Sequence, residues 1–337
     1  MLTLTISIIL VALLFDFLNG MNDAANSIAT VVSTRVLSPR LAVFWAAFFN
    51  FVAAFGFGVH VATTIGKGIV QPVVVTEYMI LSALIGAIFW THLCTKYGLP
   101  ISVSHSLIGG LAGAAIAKAG FASLMMGGLT KVAIFIILSP LIGLILGASL
   151  MIIVHWVFRH SNVRQVDRKF RIGQLLSSAA FSLGHGTNDA QKTMGIIAIL
   201  LFSSGATFPD WLYNKAEGFY VPFWVILIAH TAIGAGTLAG GWKVIRTMGI
   251  QLTHLQPSGG FCAETAGAIT LIGTALMGIP VSTTHTIAGG IMGVGSVRRV
   301  SAVRWGIAGK IIMAWILTIP MSAFVSGIAY RIISLFL

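Results

Sequence analysis

Two polar motifs of this sequence each place an asparagine–aspartate pair within a run of apolar residues. They are Asn22-Asp23 in DFLNGMNDAAN, residues 16–26, and Asn188-Asp189 in GHGTNDAQKT, residues 184–193. Carboxylate and amide oxygens are hard ligands that suit Na⁺, H⁺ or a divalent ion. An ionised side chain in an apolar segment is costly and marks a functional site. The two pairs are therefore predicted to bind a coupling cation.

A second pair of motifs combines proline, hydroxyl residues, histidine and a Gly-Gly step. They are LPISVSHSLIGG, residues 99–110, and IPVSTTHTIAGG, residues 279–290. Proline favours the first turn of a helix, and a helix N-terminus with nearby hydroxyls binds anions. Helix capping and close packing by small residues would explain each motif alone. Two such N-termini aimed at one point predict an oxyanion site at Ser102, Ser104, Ser282, Thr283 and Thr284.

The two kinds of motif occur in the same order in each half of the chain. The Asn-Asp motif recurs after 166 residues, and the proline–serine motif after 180. With five predicted spans per half, an odd number, the second copy must be inverted relative to the first. Inverted repeats are typical of secondary transporters, whose substrate binds near the membrane midplane between the repeats.

The composition indicates that these motifs are carried by membrane helices. Of the 337 residues, 57% are hydrophobic and 8% are charged, whereas soluble domains carry roughly 25% charged residues. The sequence therefore predicts an all-α polytopic membrane protein with about 10–12 transmembrane helices in two inverted repeats. The excess of 20 basic over 8 acidic residues is explained by cytoplasmic loops and anionic lipids, and no nucleic-acid partner is expected.

Hydropathy predicts ten spans, and four basic clusters orient them. The spans are 3–33, 41–65, 78–97, 99–119, 132–157, 174–204, 219–241, 260–278, 280–297 and 305–332. Basic residues near 35–40, 159–171, 243–246 and 298–304, placed inside, put both termini outside. The chain then divides into a first repeat at 1–158, a cytoplasmic basic linker at 159–172 and a second, inverted repeat at 173–337.

Two of these spans are about ten residues too long for one straight crossing. They are 3–33 and 174–204, and each contains a glycine beside its Asn-Asp pair, Gly20 or Gly186. We therefore predict that both helices are broken or re-entrant, with freed backbone groups available to an ion.

The charges of the motifs favour phosphate as the anion. Asp23 and Asp189 would repel an anion in a site of low dielectric constant. A cation must therefore bind first, or the anion must donate a proton to a carboxylate. Phosphate retains a proton near neutral pH because its second pKa is close to 6, whereas sulfate has none to donate.

Several single residues are further candidates. Lys192 takes the repeat position of Asn26 and is predicted to counter a carboxylate or touch the anion, while Glu264, opposite Leu84, is a candidate for cation coupling or gating. His105 and His285 are candidates for proton relay or for packing between the repeats. Asp16 has only Ser182 as its counterpart, so the repeat gives it no support.

The motifs make the chain resemble the inorganic phosphate transporter (PiT) family. NGMNDAANSIATVVSTRVL at 19–37, GHGTNDAQKTMGIIAI at 184–199 and the two proline–serine motifs carry the resemblance over essentially the whole chain. It implies symport of phosphate with Na⁺ or H⁺, a compact prokaryotic form and a homodimer. It also implies phosphate and cation sites at Asp23, Asn26, Asp189, Ser102, Ser104, Ser282 and Thr283, with Glu264 matching a family glutamate.

Other functions remain as alternatives at this point. A symporter of sulfate or of a metal–phosphate complex would have the same fold, and a passive anion channel would also use polar helix breaks. An intramembrane metalloenzyme is disfavoured because the sequence has no H-E-x-x-H motif. The chain is expected to be no enzyme, to need no cofactor besides the coupling ion, and to lie among the lipids of the bacterial inner membrane.

Overall fold

The computed structural model describes residues 2–205 and 208–336, and these residues form twelve α-helices without any β-strand longer than an isolated bridge. The helices are α1 (Leu2–Ser33), α2 (Pro39–Val52), α3 (His60–Gly68), α4 (Glu77–Tyr97), α5 (Val103–Ala119), α6 (Met126–Val157), α7 (Val163–Ser203), α8 (Phe223–Ala239), α9 (Trp242–Arg246), α10 (Pro257–Leu276), α11 (Thr283–Arg298) and α12 (Trp305–Ile333).

Five helices, α1, α4, α6, α10 and α12, are long and apolar enough to cross a membrane. The number rises to seven if two bent pairs of helices, α2 with α3 and α8 with α9, each count as one span. The prediction of an all-α polytopic membrane protein is confirmed. Helices α5 and α11 have only 17 and 16 residues, and each begins inside the protein at one of the proline–serine motifs.

The starts of α5 and α11 follow from their local sequence. Ser102 and Ser282 are the N-cap residues, and their hydroxyl oxygens accept hydrogen bonds from the backbone N–H groups of His105 and His285 at 3.3 and 3.2 Å. This is the pattern by which a serine satisfies a free donor of the first turn. Before α5 the chain leaves α4 through Gly98, whose φ of 71° lies in the left-handed region that favours glycine.

The predicted breaks in the first and sixth spans are wrong. Helices α1 and α7 are continuous over 32 and 41 residues. The bends lie instead within the predicted span 41–65, where α2 and α3 meet at 81°, and at the end of the predicted span 219–241, where α8 and α9 meet at 65°. Because α1 and α7 keep their intrahelical hydrogen bonds, their backbone groups are not released toward an ion.

Close helix packing accounts for the glycines of the two motifs. A Cβ atom at Gly20 would collide with the carbonyl oxygen of Ile233 in α8, and one at Gly186 would lie 2.6 Å from the carbonyl oxygen of Asn50 in α2. These glycines therefore let α8 and α2 approach the helices that carry the Asn-Asp pairs.

The predicted basic linker at 159–172 is largely helical. Asn162 caps the start of α7, its side chain accepting a hydrogen bond of 2.9 Å from the N–H of Arg164. Arg171 and Asp167 form an ion pair of 2.8 Å one turn apart. The sixth predicted span is therefore the continuation of one long helix that begins in the basic segment.

Helices of the two halves of the chain pack against each other in matched pairs. Helix α6 of the first half packs along α11 of the second, and α12 packs along α5. Glycines make both contacts close: a Cβ at Gly109 would lie 2.6 Å from the carbonyl oxygen of Ile319 in α12, and one at Gly289 would collide with that of Pro140 in α6. Between these pairs, α1 and α7 contact each other in the interior.

Candidate functional site

The two predicted aspartates meet in the interior of the protein. Asp23 in α1 and Asp189 in α7 are 1% and 0% exposed. The hydroxyl oxygen of Thr283 lies 3.3 Å from Oδ2 of Asp23 and 3.0 Å from Oδ2 of Asp189. One hydroxyl at the start of α11 therefore joins carboxylates that are 166 residues apart in the sequence.

The N-termini of α5 and α11 converge beside these carboxylates. The Thr284 hydroxyl lies 3.2 Å from Oδ1 of Asp23 and 2.9 Å from the carbonyl oxygen of Ile101, just before α5. The rings of His105 and His285 meet edge to face, with centroids 4.8 Å apart. Both helix ends carry partial positive charge, so the aspartates lie where that charge is concentrated.

Lys192 links the two helix starts to the second aspartate. It is 1% exposed, and its Nζ donates hydrogen bonds to Asp189 and to the Ser104 hydroxyl. It donates a third, of 2.9 Å, to the carbonyl oxygen of Val281. The sequence allowed Lys192 to counter a carboxylate or to touch the anion, and in this structure it counters Asp189.

Asn26 belongs to the same cluster, as the residue at the repeat position of Lys192. Its amide nitrogen donates to the hydroxyl oxygens of Thr283 and Thr284 at 3.3 and 3.0 Å. Its amide oxygen is buried and has no hydrogen-bond partner within the described residues. A buried unpaired acceptor is unfavourable, so a donor or a cation would be bound there.

His185 is the one residue of this cluster that the sequence analysis did not select. Its Nε2 lies 3.3 Å from Oδ2 of Asp189 and 3.9 Å from Oδ2 of Asp23. Its Nδ1 lies 3.0 Å from Oδ1 of Asn50, and the amide nitrogen of Asn50 donates a hydrogen bond of 2.9 Å to the hydroxyl oxygen of Thr237. The sequence contains one indication of this role, the position of the histidine one helical turn before Asp189.

His185 and the two aspartates have the spacing of a cation site. One ligand atom from each of Asp23, His185 and Asp189 lies within 4.8 Å of the others, and all three side chains are buried. Histidine nitrogen with carboxylate oxygen suits a divalent transition ion, whereas the carboxylates with nearby hydroxyls suit Na⁺. The group can therefore hold a cation directly beside the hydroxyls and the lysine.

The asparagines that precede the two aspartates occupy different surroundings. The amide nitrogen of Asn22 donates 2.7 Å to the hydroxyl of Thr95, so its side chain turns toward α4. Asn188 is fully buried, and neither its amide nitrogen nor its oxygen has a partner in residues 2–205 and 208–336. The amide oxygen of Asn22 is also buried without a partner among the described residues, so Asn22 retains one free polar atom and Asn188 retains two.

Glu264 lies in a separate buried cluster. Its carboxylate accepts hydrogen bonds of 2.5 Å from Thr30, 2.5 Å from Ser177 and 3.0 Å from the amide of Gln174. Thr30 is seven residues beyond Asp23 in α1, which is about 10.5 Å along a helix. The structure therefore does not bring Glu264 into the central cluster, although α1 connects the two.

His105 and His285 are packing residues in this structure. His285 stacks on Trp315 of α12 with ring centroids 3.8 Å apart, and its Nδ1 lies 3.3 Å from the carbonyl oxygen of Ile136. Neither ring forms a hydrogen bond to a carboxylate of the described part of the chain. Their geometry agrees with packing between the two halves.

Comparisons with known proteins give a consistent result over the whole chain. Residues 19–326 match the model of the phosphate transporter family. A probable low-affinity inorganic phosphate transporter of Rhizobium meliloti (strain 1021) is 56% identical, the match covering 97% of this chain and 96% of that protein. The probable low-affinity inorganic phosphate transporter of Bacillus subtilis (strain 168) is 44% identical over 99% and 98% of the two chains.

A solved structure has the same fold. It is described as the sodium-dependent phosphate transporter and superimposes with a TM-score of 0.87 at 27% identity, covering 99% of this chain and 100% of that one. The similarity therefore extends over almost the whole of this chain.

Proposed function

Because this chain belongs to the phosphate transporter family, we propose that it is a secondary active symporter that imports inorganic phosphate together with Na⁺ or H⁺. The observation that carries the proposal is the meeting of Asp23, Asp189 and Lys192 at the converging N-termini of α5 and α11. Membership in a transporter family also makes it a transport protein and no enzyme.

Phosphate binding is assigned to the hydrogen-bond donors around the converging N-termini of α5 and α11. The substrate-binding residues would be Asn26, Ser102, Ser104, Lys192, Ser282, Thr283 and Thr284, with Asp23 and Asp189 at their edge. The Lys192 ammonium would turn from Asp189 to the phosphate, and the hydroxyls and helix N-termini would donate to its oxygens. A protonated phosphate oxygen would donate in turn to a carboxylate.

Cation coupling follows from the same charges. If Lys192 bound the phosphate, the carboxylates of Asp23 and Asp189 would lie close to each other and to the anion without a counter-charge. Repulsion among these negative charges would oppose binding by several kcal/mol. A cation bound by the two carboxylates with Asn22 or Asn188 would remove this repulsion. The sodium dependence named for the solved relative favours Na⁺ over H⁺.

The transport cycle is proposed to be alternating access between two inverted repeats. The matched contacts of α6 with α11 and of α12 with α5 support an exchange of equivalent helices between residues 1–158 and 173–337. Rocking of these pairs around α1 and α7 would open the site to either side. The inner-membrane location, termini outside and homodimer remain predictions of this proposal.

Reconstitution tests the symport directly. Purified protein in liposomes would be given ³²P-labelled phosphate under an inward Na⁺ gradient and, separately, under a pH gradient. We expect saturable accumulation that needs one of the two gradients, and little uptake of labelled sulfate. Folded protein that takes up no phosphate under either gradient would contradict the proposal, and uptake that only equilibrates would indicate a channel.

A metal–phosphate complex is the second candidate for the substrate. The specific observation in its favour is the group of Asp23, His185 and Asp189, which has a nitrogen ligand as well as carboxylates. Uptake of free phosphate would be unchanged by EDTA. Loss of uptake with EDTA, restored by added Mg²⁺ or Zn²⁺, would assign the complex as the transported species.

A further inference from the structure

Asp16 is a fully buried carboxylate that the central cluster does not use. It lies in α1, seven residues before Asp23, and is 0% exposed. Its one hydrogen bond is a long one, 3.4 Å, from the amide nitrogen of Asn19 to Oδ1. Oδ2 has no partner, and no Lys, Arg or His nitrogen of the described residues lies within 4.0 Å of the carboxylate.

Two further buried oxygens accompany this carboxylate. The Thr193 hydroxyl of α7 lies close to the Asp16 carboxylate across the α1–α7 contact, but it does not meet hydrogen-bond geometry with that carboxylate or with any other described residue. The amide oxygen of Asn19 is likewise without one. Asp189 and His185 of α7 are the titratable groups that face Asp16 from the neighbouring helix, and both are engaged in the central cluster.

Among the buried carboxylates of the described residues, only that of Asp16 has an oxygen without a hydrogen-bond partner. Glu264 is equally buried, but three side chains donate hydrogen bonds to it. Such donors stabilise an ionised carboxylate without a cation. Asp16 has only the long hydrogen bond from the Asn19 amide and the nearby Thr193 hydroxyl, so its charge in the apolar interior would require a cation or a proton.

We propose that Asp16, Asn19 and Thr193 form an additional binding site for a monovalent cation, Na⁺ or H⁺, separate from the central cluster. The inference rests on the proposed symport for its role in transport. Asp16, Asp23 and Thr30 follow each other at intervals of seven residues, so they share one face of α1 about 10.5 Å apart. The new site therefore lies on the opposite side of the central cluster from Glu264. A cation moving along α1 would pass Asp16, the central aspartates and Glu264 in turn.

The experiment uses the purified full chain in detergent without phosphate, so that binding is measured apart from transport. Bound ²²Na⁺ per chain and the infrared carbonyl stretching band of protonated carboxylic acids would be compared for wild type and Asp16→Asn. A loss of one bound Na⁺ per chain would establish the sodium form of the site. Loss of a carboxylic acid band with unchanged Na⁺ would establish the proton form.

Neither change in a folded Asp16→Asn variant would overturn the proposal. If that variant does not fold, Thr193→Val removes a hydroxyl with little change of shape. It is expected to weaken binding of one Na⁺ by roughly tenfold or to shift the Asp16 acid band. If both readouts are unchanged in Thr193→Val, the proposal is again rejected.

The matched control is Ser182→Ala. Ser182 is fully buried in α7 at the repeat position of Asp16, and its hydroxyl is also unpaired in the described structure. This variant should leave the bound Na⁺ and the acid band unchanged. Wild-type protein that binds Na⁺ at Asp16 but accumulates no phosphate in liposomes would contradict the proposed function and leave the new site standing.

Discussion

Lys192 and Asp189 form an ion pair one turn apart in α7, with side chains only 1% and 0% exposed. Removing one partner of a buried pair leaves an uncompensated charge and costs about 3–5 kcal/mol. The same lysine also donates to Ser104 and to the Val281 carbonyl. Loss of either partner would therefore destabilise the protein. The Lys192 ammonium is the positive charge that phosphate binding would use in the proposed function.

Replacing Lys192 by glutamine should abolish phosphate accumulation and lower thermal stability. The phosphate would lose a charged donor, and Asp189 would lose its counter-charge. Uptake in liposomes and thermal unfolding in detergent measure the two effects. The control is Lys67→Gln, which changes a lysine over the Phe219 ring outside the cluster; equal behaviour of the two variants would contradict the assignment.

Replacement of Asp23 and of Asp189 should affect the stability of the protein differently, although both residues are needed for uptake. We expect Asp23→Asn and Asp189→Asn each to abolish accumulation, since each removes a cation ligand. Asp189→Asn should also lower the unfolding temperature, because it leaves Lys192 without its counter-charge, whereas no lysine of the described residues forms an ion pair with Asp23. Wild-type uptake by both variants would remove them from the mechanism.

His185→Ala should lower phosphate accumulation by roughly tenfold or more, the effect of losing one strong polar contact to a charged group. Asn50→Leu should act in the same direction but less, because Asn50 positions the ring through Nδ1. Uptake at saturating and limiting Na⁺ would show whether cation affinity changes. His60→Ala, at an exposed position, is the control, and full uptake by His185→Ala would show that the histidine is structural.

Glu264→Gln should retain phosphate binding but change the dependence of uptake on the driving ion. Glu264 contacts Thr30, Gln174 and Ser177 and none of the central residues. Phosphate binding in detergent and initial uptake rates over a range of Na⁺ and pH would separate the two. Loss of phosphate binding with an unchanged ion dependence would place Glu264 in the substrate site.

Gly20→Ala should destabilise the protein by about 1–3 kcal/mol, the usual cost of overpacking. The added methyl group would meet the carbonyl oxygen of Ile233. Gly273→Ala is the matched control, since a Cβ there meets no atom within 4 Å and alanine favours a helix. Equal unfolding temperatures of the two variants would contradict the packing role of Gly20.

A large part of the molecule follows from the sequence read locally. A charged fraction of 8% requires a membrane protein because polar surface is lacking. Ser102 and Ser282 predict helix starts because a capping serine acts within three residues of itself. The repeated Asn-Asp and proline–serine motifs predict the members of the central cluster apart from His185, since each carries its own chemistry.

Only the tertiary structure decided how these residues meet and which helices bend. Gly20 and Gly186 predicted broken helices, but they are packing positions because α8 and α2 approach them closely. His185 is oriented by Asn50, 135 positions away in the chain, and the unpaired oxygens of Asp16 and Thr193 are defined by the contact of α1 with α7. Such relationships depend on contacts between distant segments, which the order of residues along one helix does not specify.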